Sequence, residues 1–130
     1  MKNERMKQKK VKILHQSLKT KWYRMIESSF KREEYREPTT YWCKRFIGHN
    51  FLPFSHLYAY SDLNAKGYTH VQFSLGYPKK GDESRRMTFE LKRIEYREGR
   101  EEWGAEKGKK YLVEVLGRRT TLDGRKLWQE

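Results

Sequence analysis

Two hydrophobic periods run through this chain, and the change from one to the other marks its elements. Between Lys10 and Leu18, Val11, Ile13 and His15 share an alternating face that Leu14 and Leu18 interrupt, which predicts a first strand. From Lys19 to Ser29 the apolar residues Trp22, Tyr23, Met25 and Ile26 recur at helical spacing, predicting an amphipathic helix with Thr20 as N-cap and an end at Ser28-Ser29. Lys31 to Glu37 mixes both signs of charge and stops at Pro38, which biases Glu37 toward extended geometry and predicts a short extended segment. Thr39-Thr40 can cap a second helix through Tyr41, Trp42, Arg45, Phe46 and Ile47, closed by Gly48. His49 to Lys66 shows no clear period and predicts a long, partly packed connection.

Strand alternation then returns: Val71, Phe73 and Leu75 within Tyr68 to Leu75, and Met87, Phe89 and Leu91 within Arg86 to Tyr96, with a further strand over Lys110 to Leu116. Gly99 to Lys109, rich in glycine and charge, predicts a loop that holds Trp103. One strand, two helices and then several strands, with no strand-helix-strand alternation in the second half, predict an α+β protein or a small mixed barrel.

Composition narrows the partner. A chain of 130 residues fits one domain, and four Trp, nine Tyr and six Phe supply a core that a 35% hydrophobic fraction would otherwise leave thin. The net charge of +13 favours polyanions, nucleic acid first. Of this, +5 lies in Met1 to Lys12, an arm that can hold any phosphate backbone or simply be a solvated end. A single cysteine, Cys43, allows no internal disulfide, and no apolar run is long enough for a signal peptide core or membrane span; a cytoplasmic protein without membrane association is expected. His15, His49, His56 and His70 with Cys43 offer no close metal-ligand pair, so no metal is expected, and no cofactor-binding loop or nucleophile signature is present.

Ser29-Phe30-Lys31-Arg32-Glu33-Glu34-Tyr35-Arg36 resembles the ASCH-domain signature G-x-K-x-x-E-x-R, matched at Lys31, Glu34 and Arg36, with Ser29 in the glycine's place. Leu18 to Trp22, Phe73 to Tyr77, Glu102 to Gly108 and Tyr111 to Gly117 look like further segments of a bacterial and phage branch of that family, so the likeness covers Val11 to Gly117. It implies a small PUA-like mixed β-barrel with two flanking helices and a cleft beside the motif. It also implies a flexible basic N-terminal arm over 1–10, the ASCH domain over 11–118 and a C-terminal extension over 119–130. A right-handed backbone at Ser29 would accommodate the substitution, whereas positive φ there would cost about 1 kcal/mol.

Arg36 offers a planar fork for phosphate or guanine, Lys31 a point charge, and Glu34 an acceptor for an exocyclic amine. The same three side chains can instead form a structural salt bridge that locks the barrel entrance to the helix. Tyr35, Tyr41, Trp42, Tyr77 and Trp103 lie among basic residues, a pattern that allows base stacking, although only one or two are expected to be exposed. The leading expectation is a monomeric module binding RNA or another single-stranded nucleic acid, or a modified nucleoside, through Lys19, Lys21, Lys31, Glu34, Arg36, Tyr77 and Trp103. Two alternatives stay open. One is an RNA- or nucleoside-directed hydrolase with Lys31 and Glu34 as catalytic groups; against it, relatives that deacylate a modified cytidine carry threonine at the position matching Glu34. The other is an interaction module for an acidic protein.

Overall fold

Leu14, Gln16 and Leu18 form the buried face of the first strand, β1 (Ile13–Leu18). This is the opposite face from the expected one: His15 is exposed and Val11, just before the strand, is 40% exposed. The polar Gln16 at the centre of the inner face disguised the true alternation. The computed structural model describes residues 10–48 and 61–124; the expected arm up to residue 9, His49 and His56, and half of the expected extension lie outside them.

The first helix, α1 (Thr20–Glu27), buries Tyr23 and Ile26. Thr20 is its first helical residue and not its cap; Lys19 holds that position without a side-chain hydrogen bond. Beyond the helix Ser29 adopts φ 70°, and the Lys31 N–H reaches back to Met25 O at 3.0 Å. That reversal launches β2 (Glu33–Arg36). The second helix, α2 (Thr40–Phe46), forms as its cap signal predicts: Thr39 Oγ1 accepts from the Trp42 N–H at 3.2 Å, and Gly48 at φ 104° closes the end. Cys43 and Phe46 are its buried residues.

β3 (His70–Leu75), β4 (Arg86–Glu98) and β5 (Lys110–Thr120) follow, with single 3₁₀ turns at Glu83–Arg85 and Glu101–Trp103. Val71, Phe73, Leu75, Met87, Phe89 and Leu91 are all buried, as their alternation predicts. The sheet runs β1-β3-β4-β5-β2, with β1 parallel to β3 and every other pair antiparallel. Register shifts between Phe89 and Arg93 bend the long β4-β5 pair, and the sheet curls into a half-barrel. The last part of the long connection is scaffold: the Leu63 N–H donates to Ile94 O at 2.7 Å and Asp62 Oδ1 accepts from the Ile94 N–H at 3.0 Å.

The main core lies between the concave face and the helices, drawing on Leu14, Tyr23, Ile26, Phe46, Phe73 and Leu112 among others. Ala105, Tyr111 and Val113 make a smaller cluster with Tyr35 on the far side of β5. Successive residues of β5 therefore face opposite layers, which puts Glu114 on the core side with Leu112 and Leu116. No helix of the described residues is long and apolar enough to cross a membrane.

Candidate functional site

Strand pairing places Glu34 of β2 directly opposite Glu114 of β5, and both are buried. Facing like charges oppose the pairing. Neighbouring groups offset them. Lys31 Nζ donates to Glu34 Oε1 at 2.5 Å and to Glu33 O, Arg36 Nη2 lies 3.7 Å from Glu34 Oε2, and Arg36 Nε lies 3.7 Å from Glu114 Oε2. Gln16 joins the set from β1: its Nε2 donates to Glu114 Oε1 at 2.6 Å and its Oε1 accepts from Arg36 Nε at 2.6 Å. Burial, reinforced by the Glu34 charge and opposed first by Arg36, lifts the Glu114 carboxyl to about 7. Among the described residues, two polar atoms of this network, Arg36 Nη2 and Glu114 Oε2, are buried with no hydrogen-bond partner.

β1 and β2 are the two edges of the sheet. The Gln16 link to Arg36 and Glu114 thus ties the open sides of the half-barrel together through side chains. Beside this seam lie two adjoining cavities of about 420 and 530 Å³ that share Ser17, Arg36 and Tyr77. The first is walled by Tyr41, Trp42 and Arg45 of α2, the second by Lys19, Trp22 and Glu34. Each is of the size that small-ligand sites occupy. The Arg36 guanidinium stacks 4.5 Å from the Trp42 ring centre, and Arg45 lies over both Tyr41 and Trp42 at 5.6 and 5.5 Å. Tyr77 is 93% exposed and Tyr41 56%; Trp103 is buried and Tyr35 and Trp42 are half-buried, so two of the five aromatics are exposed, Tyr41 with Arg45 and Trp42 against its ring.

The structure brings Lys31, Glu34 and Arg36 into one cluster, but with different duties. Lys31 is 2% exposed and its ammonium is occupied by Glu33 and Glu34, so it positions Glu34 and does not face the cleft. Arg36 and Tyr77 line both cavities and Lys19 lines one. Lys21 is exposed over the Trp22 ring at 4.8 Å. Trp103 sits apart from Arg36, in a cavity of about 70 Å³ reached past Trp22 and Glu34. There Gly104 at φ 102° brings the chain against the Trp22 ring; a Cβ would lie 2.9 Å from it. Sequence reasoning missed Gln16 and Glu114. Each left a local signal: a glutamine between two core leucines, and a carboxylate inside the aliphatic run Tyr-Leu-Val-Glu-Val-Leu.

No family model, curated protein or solved structure matches this chain.

Proposed function

We propose that this chain is a PUA-like, ASCH-type module that binds single-stranded RNA and holds one base, plain or modified, in the cleft at the β1-β2 seam. The observation that carries this reading is the composition of the paired cavities. Among the described residues, Lys19, Arg36 and Arg45 supply positive charge against the single carboxylate of Glu34, beside the exposed rings of Tyr41 and Tyr77. Cations beside accessible π-faces are what unpaired nucleotides select. Arg36 Nη2, 3.7 Å from Glu34 Oε2, is buried and makes no hydrogen bond among the described residues, and an unmade bond of this kind costs roughly 1–3 kcal/mol. The curled five-stranded sheet with its two helices is compatible with the implied barrel.

The test is fluorescence anisotropy of nuclease-treated protein with a labelled oligouridylate across a salt series. Affinity is expected to fall steeply with salt, and Tyr77→Ala to weaken binding by about 1–3 kcal/mol without moving the thermal midpoint. Salt-insensitive or absent binding refutes the reading and leaves an acidic protein as the polyanion of choice.

One observation favours a hydrolase as second reading: a carboxyl lifted to about 7 beside an opposed carboxylate is suited to proton transfer at neutral pH. In that case Glu114 joins Glu34 as an acid-base group, and Lys31 acts through Glu34. RNA or nucleoside turnover that vanishes in a folded Glu114→Gln protein is its signature.

A further inference from the structure

Another cavity, of about 210 Å³, opens at the other end of α1, against Ile26 and Glu27, whereas the cleft takes the helix's beginning at Lys19 and Trp22. Arg32, just before β2, and Arg118 and Arg119, near the end of β5, line it together with Ser29. All three arginines are exposed, and among the described residues none of their guanidinium groups has a hydrogen-bond or ion-pair partner. Two carboxylates stand near. Glu27 accepts from Arg24 at 2.9 Å, and Glu90 accepts from the backbone N–H of Arg118 at 3.3 Å. Lys31 forms part of the wall, with its ammonium turned to Glu33 and Glu34.

Three like charges around one hollow repel each other, and an anion relieves the repulsion. Ser29 is a second, independent pointer. It is the one non-glycine residue with positive φ among those described, and its hydroxyl has no partner there. A serine held in left-handed backbone on the wall of an anion-sized hollow is the kind of strain that binding sites retain. Arg32 and Arg36 are four residues apart on one extended segment, about 13 Å at roughly 3.3 Å per residue. A single strand held by a base in the cleft can therefore lay its backbone along β2 to this hollow.

We infer that the Arg32, Arg118 and Arg119 hollow binds a backbone phosphate of the same single-stranded RNA whose base enters the cleft, an inference that rests on the function proposed above. Arginine suits this role because its fork meets two phosphate oxygens at once.

The experiment repeats the anisotropy salt series with the double variant Arg118→Gln/Arg119→Gln, with Arg32→Gln, and with Tyr77→Ala, each checked for fold by circular dichroism. Each lost phosphate contact removes about 0.7 from the logarithmic salt slope of a single strand. The hollow holds one phosphate, so the double variant should flatten the slope by up to about 0.7 and weaken binding roughly five-fold near 0.1 M salt; Arg32→Gln should do less in the same direction. Tyr77→Ala should weaken binding while keeping the slope. Unchanged slope and affinity in both arginine variants overturn the second site and leave the cleft standing if Tyr77→Ala still weakens. A flattened slope with no Tyr77 effect keeps the phosphate site and removes the base cleft. Absence of binding by the wild type overturns both.

Discussion

Replacing Lys31 by methionine tests whether this lysine is a structural pin. Its side chain is 1% exposed and that of Glu34 8%, so the substitution leaves a buried carboxylate opposite Glu114, with Arg36 at 3.7 Å as its nearest remaining cation. Removing one partner of a buried ion pair costs about 3–5 kcal/mol, and the residual Arg36 contact puts this case near 3. Small proteins lose about 2 kcal/mol of stability per molar urea, so the unfolding midpoint should drop by roughly 1.5 M. Tryptophan fluorescence reads the transition directly, since Trp22 lies 5.8 Å from the Lys31 ammonium. The double variant Lys31→Met/Glu34→Gln removes the stranded charge and should recover at least about 1 kcal/mol of coupling. A Lys31→Met midpoint within about 0.3 M of wild type would refute the pin.

Other outcomes follow from the same geometry. Burial raises the Glu114 carboxyl from 4.5 to about 7, so the folded protein keeps a proton that the unfolded chain has released. Its contribution is fully present below the lower value and is lost as pH rises through about 7, on the order of 3 kcal/mol in all. Glu114→Gln stays neutral throughout and should flatten the decline in urea midpoint between about pH 5 and pH 8; an equal decline in the variant sinks the assignment. Ser29→Gly relieves the left-handed strain and should raise stability by about 1 kcal/mol in thermal unfolding, against no gain if φ is ordinary in solution. Thr39→Ala removes the oxygen that accepts from the Trp42 N–H and should cost about 1 kcal/mol of stability, with a smaller loss indicating that the α2 cap is replaceable by water.

What could be read from the sequence was what short-range chemistry encodes. Thr39 and Gly48 bracket α2 because cap and stop are local signals, and β3 and the first half of β4 declare themselves by apolar alternation facing a continuous core. β1 was assigned to the wrong face because its central inward residue is Gln16, whose partner Glu114 lies 98 positions away. The clustering of Lys31, Glu34 and Arg36 follows from their closeness along the chain. Lys31's inward turn does not, since it depends on the reversal at Ser29, nor does the separation of Trp103 from Arg36, which depends on how the sheet curls. The adjoining cavities were hidden for the same reason: their shared wall of Ser17, Arg36 and Tyr77 comes from three distant segments.

The seam has a consequence for how this protein can change. In a closed barrel the backbone ladder holds the edges, and side chains in the opening can be exchanged at little cost to the frame. Here Gln16 and Arg36, backed by the buried Glu114, both fasten the two edges and border the opening. Retuning what the cleft accepts and loosening the frame are one operation, and variants selected for a new ligand will need a compensating stabilisation elsewhere in the sheet.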